Sequence, residues 1–388
     1  MILALCFSVK GKKMNMFFGL FSLALGLISS AKAIDVQAPQ AYMVDFNTGT
    51  ILLEKNADQK MVPSSMSKIM TAHMVFERLK SGDIKLDDTL YVSKEAWQMG
   101  GSKMFVKVES RVPVGDLLQG VIVQSGNDAC IVLAEGLGGT EAAFAEEMTH
   151  KAHEMGAKNS TFLNSTGWPD EGHLTTARDL AIIADRTIRD FPEEYEKYYA
   201  MKEYAYNNIK QGNRNTLLYK NMGADGVKTG HTDDGGYGIV ASAKQSDRRI
   251  ILVINGLPTS QARDQEATSL LNWGFNYFKN YKIFGKGEVV EVADVWSGAE
   301  KSVPLVSSQD IIFTIPRSQR KDLQVKVIYD APLAAPIKAG DVVGTIEVTV
   351  PEKGVHKIPL HAGKDIKMAG FIQRITNSVH YLLWGKHS

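Results

Sequence analysis

Apolar residues fall into two textures along this chain. Up to about Gly285, segments with helical spacing are interleaved with short apolar strands; beyond it, only short strands remain, separated by Asp, Gly and Pro. Residues 41–44 and 51–53 flank Asn47-Thr48-Gly49 and read as a β-hairpin. Ile69, Met70, Ala72, Met74, Val75, Phe76 and Leu79 make a helix apolar nearly all round, which predicts a buried one. Helices are also expected at 116–124, 129–137, 141–155 and 176–188. The first two are separated by Ser125-Gly126-Asn127-Asp128. Residues 195–221 look polar and irregular. Strands follow at 226–229, 237–243 and 250–254, then a last helix at 261–281 with Leu271, Phe275 and Phe278 at helical spacing. With the first hairpin, these strands predict a five-stranded antiparallel sheet with helices packed on it, an α/β (α+β) sandwich.

Residues 289–292, 301–306, 311–315, 323–329, 342–350 and 356–360 predict a small all-β domain. The tail changes again. Met368, Ile372, Ile375, Val379, Leu382 and Leu383 form one stripe with Phe371 at its edge, Lys367, Gln373, Arg374 and Asn377 lie off it, and Trp384 closes it. Such an amphipathic helix suits the lipid interface; the alternative is a helix packed on the β domain. At the other end, Lys10, Lys12 and Lys13 precede an apolar run from Met14 to Ile28 and an Ala31-Lys32-Ala33 cleavage site, the pattern of a secretory signal peptide. The expected organisation is therefore a signal peptide at 1–33, a large domain at 34–285, a β-rich domain at 286–362 and an amphipathic helix at 363–388.

Composition changes little in this picture. The 388 residues are 44% hydrophobic and 22% charged with a net charge of +1, which gives no hint of nucleic-acid binding. Removal of the signal peptide takes four lysines and leaves 40 basic against 43 acidic residues. It also takes Cys6, so Cys130 stays alone and no intrachain disulfide forms. A chain of this size relies on its core instead.

The chemistry starts at Ser65-Met66-Ser67-Lys68. With Pro63 and Ser64 before it, Ser64 is expected to cap the buried helix and to place Ser65 and Lys68 one turn apart on one face. A neutral lysine there can take the serine proton and leave a nucleophile, and burial lowers a lysine's pKa. Alone, Ser-x-x-Lys is weak and recurs as a solvated helix start. Two further motifs strengthen it: Ser125-Gly126-Asn127 at a break between helices, and Lys228-Thr229-Gly230 at a strand end. The same trio marks class A β-lactamases and penicillin-binding proteins, with Gly126 here in place of the usual Asp.

On these motifs, on Ser125-Gly126-Asn127-Asp128-Ala129-Cys130, Lys228-Thr229-Gly230-His231-Thr232 and Asn272-Trp273-Gly274-Phe275, and on the β-rich domain and tail, the chain resembles the type-5 low-molecular-mass penicillin-binding proteins. The resemblance covers essentially the whole mature sequence. It implies a β-lactamase/transpeptidase-like fold and a serine-type D-alanyl-D-alanine carboxypeptidase. The implied partners are peptidoglycan stem peptides ending in D-Ala-D-Ala, with β-lactams as covalent inhibitors, in an exported periplasmic protein held at the outer surface of the inner membrane by its last helix. The implied roles are Ser65 nucleophile, Lys68 general base and Ser125 proton relay. Asn127, Lys228, Thr229 and Gly230 would bind substrate, and the N–H groups of Ser65 and His231 would form the oxyanion hole. Arg214 resembles an active-site arginine of the family; a surface cation is the alternative.

Other readings are weaker. His150 and His153 with Glu154 are not an H-E-x-x-H pair, no G-x-S-x-G elbow surrounds a serine, and nothing suggests a nucleotide or metal cofactor. Cys130 reads as a buried helix cysteine. DD-endopeptidase or weak β-lactamase activity on the same fold stays open, with Glu171 the one acid considered as a deacylating base. A non-catalytic wall-binding protein is a further rival.

Overall fold

The computed structural model describes residues 34–372 and 375–376. The expected signal peptide and most of the expected terminal helix lie outside these residues. The chain divides into two compact units between Tyr277 and Phe278.

The first unit opens with β1 (Gln40–Asp45) and β2 (Ile51–Lys55), then a short 3-10 turn, Ser64–Ser67, that runs into α1 (Lys68–Ser81). There follow β3 (Thr89–Tyr91), α2 (Lys94–Gln98), β4 (Arg111–Pro113), α3 (Val114–Gln119), a π-helical turn at Gly120–Gln124, α4 (Asn127–Gly138), α5 (Glu141–Met155), α6 (Ala177–Asp190) and α7 (Pro192–Tyr199). The unit closes with β5 (Glu203–Tyr206), β6 (Ile209–Gly212), β7 (Ala224–Thr232), β8 (Gly236–Gln245), β9 (Arg248–Leu257) and α8 (Ser260–Tyr277).

Five strands form an antiparallel sheet in the order β2-β1-β9-β8-β7, which leaves β7 at an edge. The central strands read as continuous buried runs because both faces are covered. Val240, Ile251 and Val253 join the large core that includes Ile69, Met70, Leu133 and Ile183 from the helices. On the other face α8 comes so close that a Cβ on Gly274 would lie 2.8 Å from Met43 Sδ and 3.0 Å from Ile250 Cδ1. That approach accounts for the glycine in Asn272-Trp273-Gly274-Phe275. α1 is apolar all round because it runs through this core; Ile69 to Phe76 are all buried. Thr140 and Thr176 cap α5 and α6, each hydroxyl accepting the N–H three residues on.

Two expectations fail. The last helix ends at Tyr277, and Phe278 begins a strand, β10 (Phe278–Phe284). Leu271 and Phe275 are buried in α8, but a single further apolar residue at helical spacing does not fix where the helix ends, and the pairing of Phe278 with Pro316 decides it. The polar segment after Tyr195 is ordered rather than irregular: α7 and the β5–β6 hairpin occupy it, with Tyr195, Tyr198 and Tyr199 buried.

The described residues of the second unit are mostly β, with a 3-10 turn at Arg317–Asp322. β10 pairs with β13 (Ile311–Pro316), and six strands form a sheet. These are β11 (Val289–Trp296), β12 (Ser302–Ser307), β14 (Gln324–Ile328), β15 (Leu333–Ala334), β16 (Val342–Val350) and β17 (Gly354–Ala362), in the order β14-β16-β17-β12-β11-β15. Alternation buries Val303, Leu305, Val325, Val327, Ile346 and Val348 in a core of its own. No described helix is long and apolar enough to cross a membrane.

The first hairpin is tied to the sheet by a buried ion pair. Asp45 is fully buried, accepts the N–H groups of Asn47 and Thr48, and takes Arg248 Nε at 2.7 Å. Asp45→Ala strands a mostly buried guanidinium, so the protein is expected to lose about 3–5 kcal/mol. Urea unfolding of the variant measures it; a midpoint equal to wild type contradicts the pairing.

Candidate active site

Ser65 sits in the 3-10 turn, not in α1. Ser64 does not cap the helix. It has φ 51°, and its hydroxyl lies 3.0 Å from Thr232 Oγ1, so it ties the turn to the end of β7. In a 3-10 turn, side chains three apart eclipse each other. Lys68 Nζ accordingly lies 2.9 Å from Ser65 Oγ. Lys68 is 1% exposed and donates also to Asn127 Oδ1 at 2.7 Å and to the Thr166 carbonyl at 2.5 Å. All three acceptors are uncharged. Burial pushes its pKa down to about 8.

The second motif is presented by a change of helix type. The π-helical turn ends at Ser125, a non-glycine residue at φ 62° and 1% exposed, whose hydroxyl has no partner among the described residues. Such backbone costs about 1–3 kcal/mol and persists where surroundings impose it. Here the next residues impose it. The carboxylate of buried Asp128 accepts N–H groups from Met104, Phe105, Val106 and Ala129 at 2.9–3.1 Å. Asn127 opens α4, and its Nδ2 donates to Gly100 O at 2.9 Å while Oδ1 faces Lys68. A Cβ on Gly126 would lie 2.9 Å from Asp128 Oδ1 and 3.1 Å from Met104 N, so no side chain fits where the related motif has Asp.

The third motif lies on edge strand β7. Lys228 is 4% exposed and donates to Thr229 O at 3.2 Å. Burial, and next the charge of Lys68, push its pKa well below the usual lysine range. Gly230 also has another reason than substrate access. Its Cβ would lie 2.9 Å from Pro63 O and 3.1 Å from Ser64 Cβ, so glycine lets β7 press against the nucleophile turn. His231 is exposed and stacks on Tyr237 at 3.8 Å between centroids.

Ser65, Ser125, Asn127, Thr229, Gly230, His231 and Arg214 line one cleft of about 680 Å³. Arg214 donates from Nη1 to Ser102 Oγ, so it is a wall of the cleft and not a detached surface cation. Three further lining residues carry no sequence motif. Arg263 is 5% exposed on α8, with its guanidinium on Asp264 Oδ1 at 2.8 and 3.0 Å. Thr216 has a buried hydroxyl without a partner among the described residues. Trp168 is half exposed at the rim. Their one sequence signal is polar or aromatic character in segments that need neither, and that signal is too common to act on.

The remaining candidates fall elsewhere. Glu171 is exposed and does not line the cleft. Cys130 is buried in α4, and burial pushes its thiol up to about 12, which keeps it protonated. His150 faces Glu154 on the exposed side of α5.

A serine and a desolvated lysine one turn apart, with a second serine on the cleft and a strand-borne lysine buried beside its Thr229 wall, define a serine hydrolase of the Ser-x-x-Lys class. The chain belongs to the D-alanyl-D-alanine carboxypeptidase family, whose profile matches residues 28–259; that of the penicillin-binding protein 5 C-terminal domain matches residues 278–368. It is 39% identical to D-alanyl-D-alanine carboxypeptidase DacC of Escherichia coli over 90% of this chain and 89% of that one. Penicillin-binding protein 5 from Haemophilus influenzae has a similar solved structure, with TM-score 0.76 and 37% identity over 87% of this chain and 99% of that one. The ampicillin-bound penicillin-binding protein D2 of Listeria monocytogenes is similar with TM-score 0.58 and 27% identity, covering 63% of this chain and all of that one. The protein is a serine-type D-Ala-D-Ala carboxypeptidase and binds penicillin.

A lysine can accept a proton only when neutral. The second-order rate of labelling by a fluorescent penicillin is therefore expected to climb with pH, about tenfold per unit, until it levels near the lysine's pKa of about 8. A rate independent of pH from about 6 to 8 contradicts a lysine base.

Proposed function

We propose the following division of labour in the removal of the terminal D-Ala. Ser65 Oγ attacks the carbonyl of the penultimate D-Ala while its proton passes to neutral Lys68, which the 2.9 Å contact allows. The resulting oxyanion lies between the N–H groups of Ser65 and His231, each donor worth about 3–4 kcal/mol. Collapse expels the amine of the terminal D-Ala, and the Ser125 hydroxyl hands it a proton drawn from Lys68. This gives work to a buried hydroxyl that otherwise lacks a partner. Water then attacks the acyl-serine, and the free hydroxyl returns.

Binding follows from charge and from the open sheet edge. The substrate lies along β7 as an added strand, and Asn127 turns its amide toward the substrate backbone. The terminal carboxylate enters among Lys228, Thr229, Arg214 and Arg263. A carboxylate there favours the ammonium form of Lys228, against the burial that lowers its pKa. The single observation that carries the assignment is the contact between Ser65 and a lysine whose acceptors are all uncharged. The position of Glu171 away from the cleft supports carboxypeptidase over β-lactamase chemistry. The site of action is the periplasmic face of the cytoplasmic membrane, with the terminal amphipathic segment as the attachment; Met368, Phe371 and Ile372 of its apolar side are 47%, 76% and 81% exposed, which favours this.

Mass spectrometry of a pentapeptide ending in D-Ala-D-Ala is expected to show loss of one alanine with wild type and none with Ser65→Ala. Hydrolysis by the variant overturns the assignment. In the same assay Arg263→Ala is expected to raise KM about tenfold or more with a smaller change in kcat, the loss of one charged hydrogen bond to the carboxylate. An unchanged KM removes Arg263 from the binding group.

A further inference from the structure

The proposed mechanism needs Lys68 as a free amine, which has two hydrogens and one lone pair. With the hydrogens on Asn127 Oδ1 and Thr166 O, the lone pair is left for the Ser65 hydroxyl. The direction of that lone pair then depends on what keeps the Thr166 carbonyl in place. Thr166 belongs to a loop, residues 161–174, that lies outside all three motifs.

The loop is closed at its base by two main-chain bonds between Thr161 and Leu174, at 2.8 and 3.1 Å. Just beyond it Thr175 exchanges two bonds with Met61, four residues before Ser65. Thr71 on α1 donates to Ser165 O at 2.6 Å. Inside the base lies His173, which is 1% exposed and does not line the cleft. Its ring meets Phe162 edge-on, with 5.6 Å between centroids. Nδ1 lies 3.2 Å from the main-chain nitrogen of Leu163, and Nε2 lies 2.9 Å from Oγ of Ser67 in the nucleophile turn.

These contacts decide where the ring carries its hydrogen. A main-chain N–H can only donate, so Nδ1 is bare and the hydrogen sits on Nε2, directed at Ser67. A charged ring would set a second N–H against that of Leu163. Burial agrees with the neutral form and pushes the pKa of His173 down to about 4; exposed Asp170 on its own loop raises it, and Lys68 across on α1 lowers it. One side chain thus joins both arms of the loop to the turn that holds the nucleophile.

We propose that His173 is a positioning residue for the Ser65–Lys68 pair. As a neutral ring with its hydrogen on Nε2, it ties the loop to Ser67, keeps Thr166 O on the amine of Lys68 and so keeps the lone pair on Ser65. The inference rests on the reading of Lys68 as the base.

The test compares wild type with His173→Gln and His173→Leu in the full chain. Glutamine carries an acceptor and a donor in place of the two ring nitrogens; leucine carries neither. In labelling by a fluorescent penicillin, the first-order acylation rate of His173→Leu is expected to fall about tenfold or more, with little change in the binding constant that precedes it. Its pH profile is expected to level off at higher pH than that of wild type, because a loosened loop admits water to Lys68. His173→Gln is expected to recover the rate to within about threefold of wild type. Nitrogen-15 spectra of the wild-type ring are expected to show the hydrogen on Nε2 and no titration between about pH 5 and 8. A His173→Leu protein that melts as a folded chain and keeps the wild-type rate and profile overturns the proposal. A His173→Gln rate as low as that of His173→Leu also overturns it, leaving the ring only its packing on Phe162, and so does a hydrogen on Nδ1. If His173→Leu does not fold, the glutamine variant and the spectra decide. A wild-type rate independent of pH from about 6 to 8 removes Lys68 as the base instead, and is read without either variant.

Discussion

A lysine buried without a carboxylate partner is the constraint on which this enzyme depends. Lys68 is enclosed at the start of a helix that runs through the core, and its ammonium meets a hydroxyl, an amide oxygen and a main-chain carbonyl. Neutral acceptors offset only part of the cost of desolvating a charge, so the amine form becomes accessible near neutral pH. A carboxylate in any of those places would hold the proton on the lysine. Each acceptor comes from a different part of the fold: the 3-10 turn, the first turn of α4, and the loop before α6. The architecture of the first unit can be read as the means of bringing these three together.

The same region explains several small residues that a motif search treats as decoration. Glycines 167, 230 and 235 all approach the nucleophile turn, and at each a Cβ would press on Ser64 or Pro63. The turn is therefore clamped from the loop on one side and from the edge strand on the other. Clamping fixes Ser65 against the edge strand and holds both rims of the cleft to one anchor. Asp128 does the corresponding work for the second motif by gathering N–H groups from the segment around Phe105.

The second unit has a separate core and a different logic. Its sheet is built from strands that bury one face, so its sequence alternates where the central strands of the first sheet are continuous.

Much of this was already legible in the chain. Apolar periodicity located α1, α5 and the sheet strands because burial on all sides or on one side leaves a pattern in the residues themselves. The Ser-x-x-Lys spacing placed a hydroxyl and an amine within reach because residues three apart lie on one face of an α-helix and of a 3-10 turn alike. Where patterns are shared by two structures, as at Phe278, pairing with a distant strand decided the outcome. Ser64 looked like a cap and became a strut because the end of β7 offered its hydroxyl a partner that is remote in sequence. Arg263, Thr216 and Trp168 entered the cleft only through the meeting of α8, the segment after β6 and the loop before α6. Local order determined the reactive pair, and long-range packing determined what surrounds it, since hydrogen bonding along a turn is set by near neighbours while desolvation and the shape of a cleft are set by residues far apart in the chain.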